Sequence, residues 1–201
     1  MGRIDFAAIG CILGAMSSRR VIARALAAAL SLGLLLSGRP VAAGDVERLL
    51  QPLGLTAMSG RPAAFTLPAT SGGTRSLAAQ QGKVVLVYFW ATWCPYCRRE
   101  LPAGVERVAR ERRGQPFTVL AVSVEEPKDL VASWAKGAGL TIPVLLDYDG
   151  AVARDYRVRA TPTVFVIGRD GRLVARAAGN REWEGPAGRA LLDALVAAPA
   201  K

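Results

Sequence analysis

The run from Val84 to Trp90 (Val-Val-Leu-Val-Tyr-Phe-Trp) leads through Ala91-Thr92-Trp93 into Cys94-Pro95-Tyr96-Cys97. An unbroken stretch of β-branched, aliphatic and aromatic residues has no face to offer water. It predicts a central strand covered on both sides rather than a half-exposed one. Pro95 suits the first position of a helix, where its missing N–H would have no partner in any case. The junction therefore reads as strand, tight corner, helix, with Cys94 at the corner. A strand of this kind needs neighbours in a sheet and a layer on each face, so the chain must supply both.

The remaining pattern supplies them. Phe117 to Val124 predicts a second buried strand, and Ile142 to Leu146 a short extended one. Thr163 to Ile167 and Leu173 to Ala177 flank Gly168-Arg169-Asp170-Gly171, whose Asp-Gly pair signals a hairpin. Helices are expected from Pro95 toward Arg113, bent at Pro102, and from Pro127 to Lys136, stopped by Gly137 and Gly139. A helical turn is expected over Gly150 to Tyr156, and a closing helix over Pro186 to Ala197 with Leu191, Leu192 and Leu195 on one face. Ahead of these, Val46, Leu49, Leu50 and Leu53 have the spacing of a short amphipathic helix ended by Pro52 and Gly54. Arg61 to Pro68 reads as a short extended strand followed by a turn at Gly72-Gly73. The expectation is an α/β domain, a central mixed β-sheet flanked by helices on both faces. Its organisation is a leader over residues 1–43, a short helical segment over 44–60 and the domain proper over 61–199.

The leader reads as export machinery. Arg19 and Arg20 precede an apolar stretch from Val21 to Leu36, broken only by Arg24 and small polar residues, and Val41-Ala42-Ala43 offers small residues to a signal peptidase. The stretch is shorter than the roughly 20 apolar residues that span a bilayer. A cleaved signal is expected, with an uncleaved N-terminal membrane anchor as the alternative. Ser18-Arg19-Arg20-Val21-Ile22 resembles a twin-arginine signal, but the residues after Arg20 fit that pattern poorly, and an ordinary basic n-region is the simpler reading. Met16 is a second candidate start, and Cys11 lies in no convincing lipobox. Either route leads out of the cytoplasm.

The charge balance is 26 Lys and Arg against 16 Asp and Glu. Residues 1–43 hold five of the basic and one of the acidic residues, so the excess falls from ten to six in the remainder. Arg98, Arg99, Arg107, Arg110, Arg112 and Arg113 crowd the helix after Cys97. Such a run attracts an acidic partner, stabilises a thiolate or, more commonly, is a solvated face. No aromatic residues interleave with it as in a single-strand binder, so nucleic acid is not expected. The chain has no histidine, which removes His-based catalysis, most catalytic zinc sites and a haem held by a proximal His.

Cys94 and Cys97 are the only cysteines after residue 43. A thiol attacks a disulfide only as thiolate, and the N–H groups and dipole at a helix N-terminus favour that charge. Cys94 is placed there as an exposed nucleophile. Cys97, one turn on, is placed to attack a mixed disulfide at Cys94 as the more buried resolving thiol. A zinc half-site would need two further ligands, and the chain after residue 43 offers no other Cys and no His. A purely structural disulfide would close a very short loop and stabilise little.

The segment Phe89-Trp90-Ala91-Thr92-Trp93-Cys94-Pro95-Tyr96-Cys97-Arg98-Arg99-Glu100-Leu101-Pro102 resembles the active-site signature of the TlpA/ResA group of exported thioredoxin-like proteins, within the thioredoxin superfamily. The likeness runs from about Arg61 to Ala197 and includes Gly82-Lys83-Val84-Val85 and Ala160-Thr161-Pro162-Thr163. The resemblance implies a thioredoxin-like fold and a periplasmic thiol–disulfide oxidoreductase whose only redox group is the Cys94–Cys97 disulfide, with no cofactor or metal. It implies that Pro162 is a cis-proline facing the disulfide. Thr161 would then offer its backbone to an extended substrate, with Trp93, Pro95 and Tyr96 completing the binding surface. It makes Glu100 the acid that exchanges the Cys97 proton. The implied partners are protein disulfides, of the kind found in apocytochrome c or copper-handling proteins of oxidase assembly, and a membrane electron donor of the DsbD/CcdA type.

Read without the resemblance, Pro162 is a strand-edge proline and Glu100 a surface helix residue. Two departures limit the likeness. Tyr88 stands where thioredoxin has a buried Asp, and Pro95-Tyr96 stands where thioredoxin has Gly-Pro, as in glutaredoxins. That dipeptide tunes the potential, so a disulfide-introducing oxidant on the same fold stays open, as does a non-catalytic interaction domain. A peroxiredoxin would carry Thr three residues before its reactive Cys; that position is Ala91 for Cys94 and Cys94 for Cys97.

Overall fold

A computed structural model describes residues 43–200, so the leader and the export signal expected there lie outside the described residues. The chain opens with α1 (Ala43–Leu50), whose last turn tightens over Gln51–Leu53 and is capped by Gly54 at φ 57°. Leu50 and Leu53 are buried in the main core. Two short strands, β1 (Thr56–Ala57) and β2 (Thr66–Pro68), precede β3 (Thr74–Ser76). The central strand β4 covers Val84–Trp90, and every residue in it is buried. After the Cys94 corner, α2 (Pro95–Glu100) passes through a π-helical turn, Leu101–Val105, into α3 (Glu106–Glu111). There follow β5 (Phe117–Val124), α4 (Lys128–Gly137), β6 (Val144–Asp147), α5 (Ala151–Asp155), β7 (Thr163–Ile167), β8 (Leu173–Ala178) and α6 (Pro186–Ala197).

The main sheet has the order β1-β8-β7-β4-β5-β6, with β4, β5 and β6 parallel and β7 antiparallel to both β4 and β8. Strand alternation divides β4 between two cores. Val84, Leu86, Tyr88 and Trp90 face one side, with α2 and Leu191, Leu192 and Leu195 of α6; Val85, Val87 and Phe89 face the other. The second side is covered by Phe65, Leu67, Ala153 and Tyr156. Its layer is therefore the short α5 together with the β2–β3 hairpin.

Beyond shifts of one or two residues at element ends, three features differ from the sequence reading. Paired structure in the 61–68 stretch is confined to β2, since Arg61-Pro62-Ala63-Ala64 lies outside any strand and Pro62 has no N–H to give a ladder. The helix after Cys97 ends at Glu111 rather than Arg113, and Gly114 at φ 82° turns the chain toward β5. At Pro102 the helix widens into a π turn rather than simply bending. A proline ring clashes with the carbonyl four residues back and cannot donate to it, and the wider turn relieves both problems.

Candidate active site

Register brings the site together. Antiparallel pairing of Phe89 with Thr163 sets Pro162 beside the end of β4, and parallel pairing of Trp90 with Ser123 sets the loop after β5 on its other side. Three loops thus converge at the C-terminal end of the central strand, where an open α/β sheet offers its crevice. The Thr161–Pro162 peptide is cis, and the Thr161 carbonyl oxygen lies 3.4 Å from Cys94 Sγ.

Cys94 caps α2 from an extended conformation, and the Cys97 N–H donates to Cys94 Sγ at 3.2 Å. The two cysteines are joined as a disulfide with Cα atoms 5.3 Å apart. The expectation of an exposed Cys94 needs correction: it is 2% exposed against 0% for Cys97, because the loop carrying Thr161 and Pro162 lies over it. Exposure belongs instead to its neighbours, Trp93 at 70% and Tyr96 at 54%. Pro95 is also exposed, Thr161 half-buried and Pro162 buried.

Glu100 is not a surface residue. It shares a helix face with Cys97, three positions away, and is buried on the Tyr88 side of the sheet. The Tyr88 hydroxyl donates to Oε2 at 2.8 Å, and the Arg181 backbone N–H donates to Oε1 at 2.7 Å. Burial pushes the Glu100 carboxyl up to about 7, against the pull of those two hydrogen bonds. The Trp183 indole also favours the carboxylate, though its N–H forms no hydrogen bond of good geometry. Burial, and then Glu100 itself, drive the Tyr88 phenol far above its ordinary value, so it remains a donor.

Sequence reasoning missed a second buried carboxylate. Glu126 accepts hydrogen bonds from the Thr92 N–H at 2.9 and 3.1 Å, from the Thr92 hydroxyl, and from the Ser123 hydroxyl at 2.8 Å. It ties the β4–α2 corner to the loop after β5. Nothing local marks it, since its neighbour Glu125 is exposed. Among the described residues no group of three or more His, Cys, Asp or Glu side chains is placed to hold a metal ion.

A mixed sheet whose central parallel strand ends in a Cys-x-x-Cys helix cap, faced by a cis-proline from the antiparallel neighbour, defines a thioredoxin-like protein. Sequence comparison narrows the class. The chain belongs to the AhpC/TSA family, whose profile matches residues 60–176. It is 37% identical over 109 residues to the thiol-disulfide oxidoreductase ResA of Geobacillus kaustophilus, covering 54% of this chain and 62% of that one. Against the ResA of Bacillus subtilis it is 36% identical over 110 residues, covering 55% and 61%. The match thus spans about three-fifths of these curated relatives. Among solved structures, a thiol:disulfide interchange protein of the thioredoxin family from Chlorobium tepidum superposes with a TM-score of 0.62 at 26% identity, covering 70% of this chain and 99% of that one.

Proposed function

We propose that this chain is an exported thiol–disulfide oxidoreductase that reduces disulfides of exported proteins through Cys94 and Cys97. The observation that carries the reading is the Cys97 N–H donated to Cys94 Sγ at the start of α2, which favours a thiolate at that sulfur. The Cys94 thiolate attacks one sulfur of a client disulfide, forming a mixed disulfide and releasing the other client sulfur as thiolate. Cys97 gives its proton to Glu100 and attacks Cys94 Sγ. The Cys94–Cys97 disulfide forms, and the second client sulfur leaves and is protonated. Two electrons pass to the client, and a membrane donor of the DsbD/CcdA type returns them. Apocytochrome c and copper-handling proteins are the client classes that the family resemblance suggests. Among the described residues no helix is long and apolar enough to cross a membrane.

The N–H that stabilises the thiolate also supports a second direction. If the reduced form is stabilised strongly enough, the same site becomes an oxidant. Titration of the Cys94–Cys97 pair against glutathione or dithiothreitol separates the two. A potential near or below about −270 mV is expected for the reductase, and one near −120 mV makes the protein an oxidant. Catalysis itself is tested by insulin reduction. Cys94→Ser should abolish turnover and Cys97→Ser should accumulate mixed disulfide. Equal activity of Cys94→Ser and wild type would remove catalysis from the account.

A further inference from the structure

Which arginines meet a carboxylate is not legible in the sequence. Away from the disulfide five are ion-paired: Arg107 and Arg189 with Glu111, Arg110 with Glu106, Arg112 with Asp193, and Arg154 with Glu125. Around it four are not. Arg98 and Arg99 on α2, and Arg157 and Arg159 in the loop that leads to Pro162, are all exposed. None of these four meets a carboxylate among the described residues; Arg99 lies over the Tyr96 ring at 5.0 Å. Arg159 stands two residues before Thr161, whose carbonyl touches Cys94 Sγ, so its Cα is within roughly 7 Å of chain from that residue. Arg157 holds φ 53°, a conformation that glycine adopts without strain. A long cationic side chain is thus kept where the backbone alone favours its removal.

The nearby acids do not balance this rim. Glu100 and Glu126 are buried and engaged in hydrogen bonds, and Glu125 faces Arg154. Glu182, beside Arg181 on the loop after β8, and Asp155, two residues before Arg157, are exposed acids of that region, and neither is ion-paired with the four arginines. Other exposed arginines, such as Arg61 and Arg172, also lack an ion-paired carboxylate among the described residues, and what sets these four apart is their place beside the exposed Trp93 and Tyr96 around one disulfide.

We propose that the four arginines, with Trp93 and Tyr96, form a docking surface for an extended client segment that carries Asp or Glu beside its disulfide cysteine. The apolar rings contact the segment on either side of its sulfur, and the arginines, from two elements flanking Cys94, supply the complementary charge. The proposal rests on the oxidoreductase reading and adds the chemistry of the client.

The test uses the reduced protein and three disulfide-linked octapeptides, with the cysteine flanked by Asp and Glu, by Ser and Ala, or by Lys. At low salt, kcat/KM for the acidic peptide should exceed that for the basic one by about tenfold, a preference that screening at 0.5 M NaCl erases. The quadruple variant Arg98→Gln, Arg99→Gln, Arg157→Gln, Arg159→Gln should bring the acidic-to-basic ratio close to one. Equal kcat/KM for the three wild-type peptides overturns the proposal. So does a variant that slows all three alike, because the arginines would then act on the thiolate rather than the client. So does inhibition by anionic vesicles without any peptide preference, which would assign the rim to a membrane surface. A protein that reduces none of the peptides loses the oxidoreductase reading itself, a result distinct from reducing all three equally.

Discussion

Glu100 is 7% exposed, with one oxygen accepting from Tyr88 and the other from the Arg181 N–H. Its carboxyl, raised by burial from 4.5 to about 7, holds a proton in the folded state that the unfolded chain has already released. The stabilisation is therefore complete below about pH 4.5 and lost as pH rises through about 7, an effect of at most roughly 3 kcal/mol. Glu100→Gln keeps both contacts, since its amide accepts from Arg181 and donates to the Tyr88 oxygen. Urea denaturation of the oxidised protein should show wild type weakening between pH 5 and 8 while the variant stays level. The same substitution should erase the limb near pH 7 in the rate profile for client reduction. A wild type with flat stability and an unaltered profile in the variant would leave Glu100 with no proton to exchange.

At the level of elements, the β4–α2 corner holds its shape through a residue on another loop. Glu126 gathers the Thr92 N–H, the Thr92 hydroxyl and the Ser123 hydroxyl, and so fixes the approach to Cys94. Glu126→Gln puts an amide N–H₂ where donors already converge. The expected cost is roughly 1–3 kcal/mol, read as a lower urea midpoint with an unchanged slope. An unchanged midpoint would mean that the corner is held by its own turn alone. Thr92 looks like any turn residue in the sequence, and its partner lies 34 positions away. Pro102 was legible as a disturbance of the helix. The form it takes, a π turn that keeps α2 and α3 continuous, depends on how the backbone relieves the missing N–H.

For the whole molecule, both faces of β4 must be sealed, and the loop between β8 and α6 contributes a fully buried Trp183 to the face that carries Cys97 and Glu100. The backbone of α6 comes so close to it that a Cβ at Gly188 would collide with the Trp183 carbonyl. Trp183→Ala should cost roughly 3–5 kcal/mol in chemical denaturation, the range for emptying a large aromatic site in a core. A loss below about 1 kcal/mol would show that the loop is not part of the cooperative core. No periodicity flags residues 179–185, because an irregular loop has no repeat to read. The strand–corner–helix order, the position of both cysteines and the Asp-Gly hairpin were determined by the sequence itself, since apolar runs, Pro, Gly and spacing act within a few residues. Only the tertiary structure decided that Cys94 is covered, that Glu100 and Glu126 are buried, and which arginines lack partners. Those properties depend on groups far apart along the chain, 81 residues for Glu100 and Arg181, whose meeting is set by strand register rather than by any local preference.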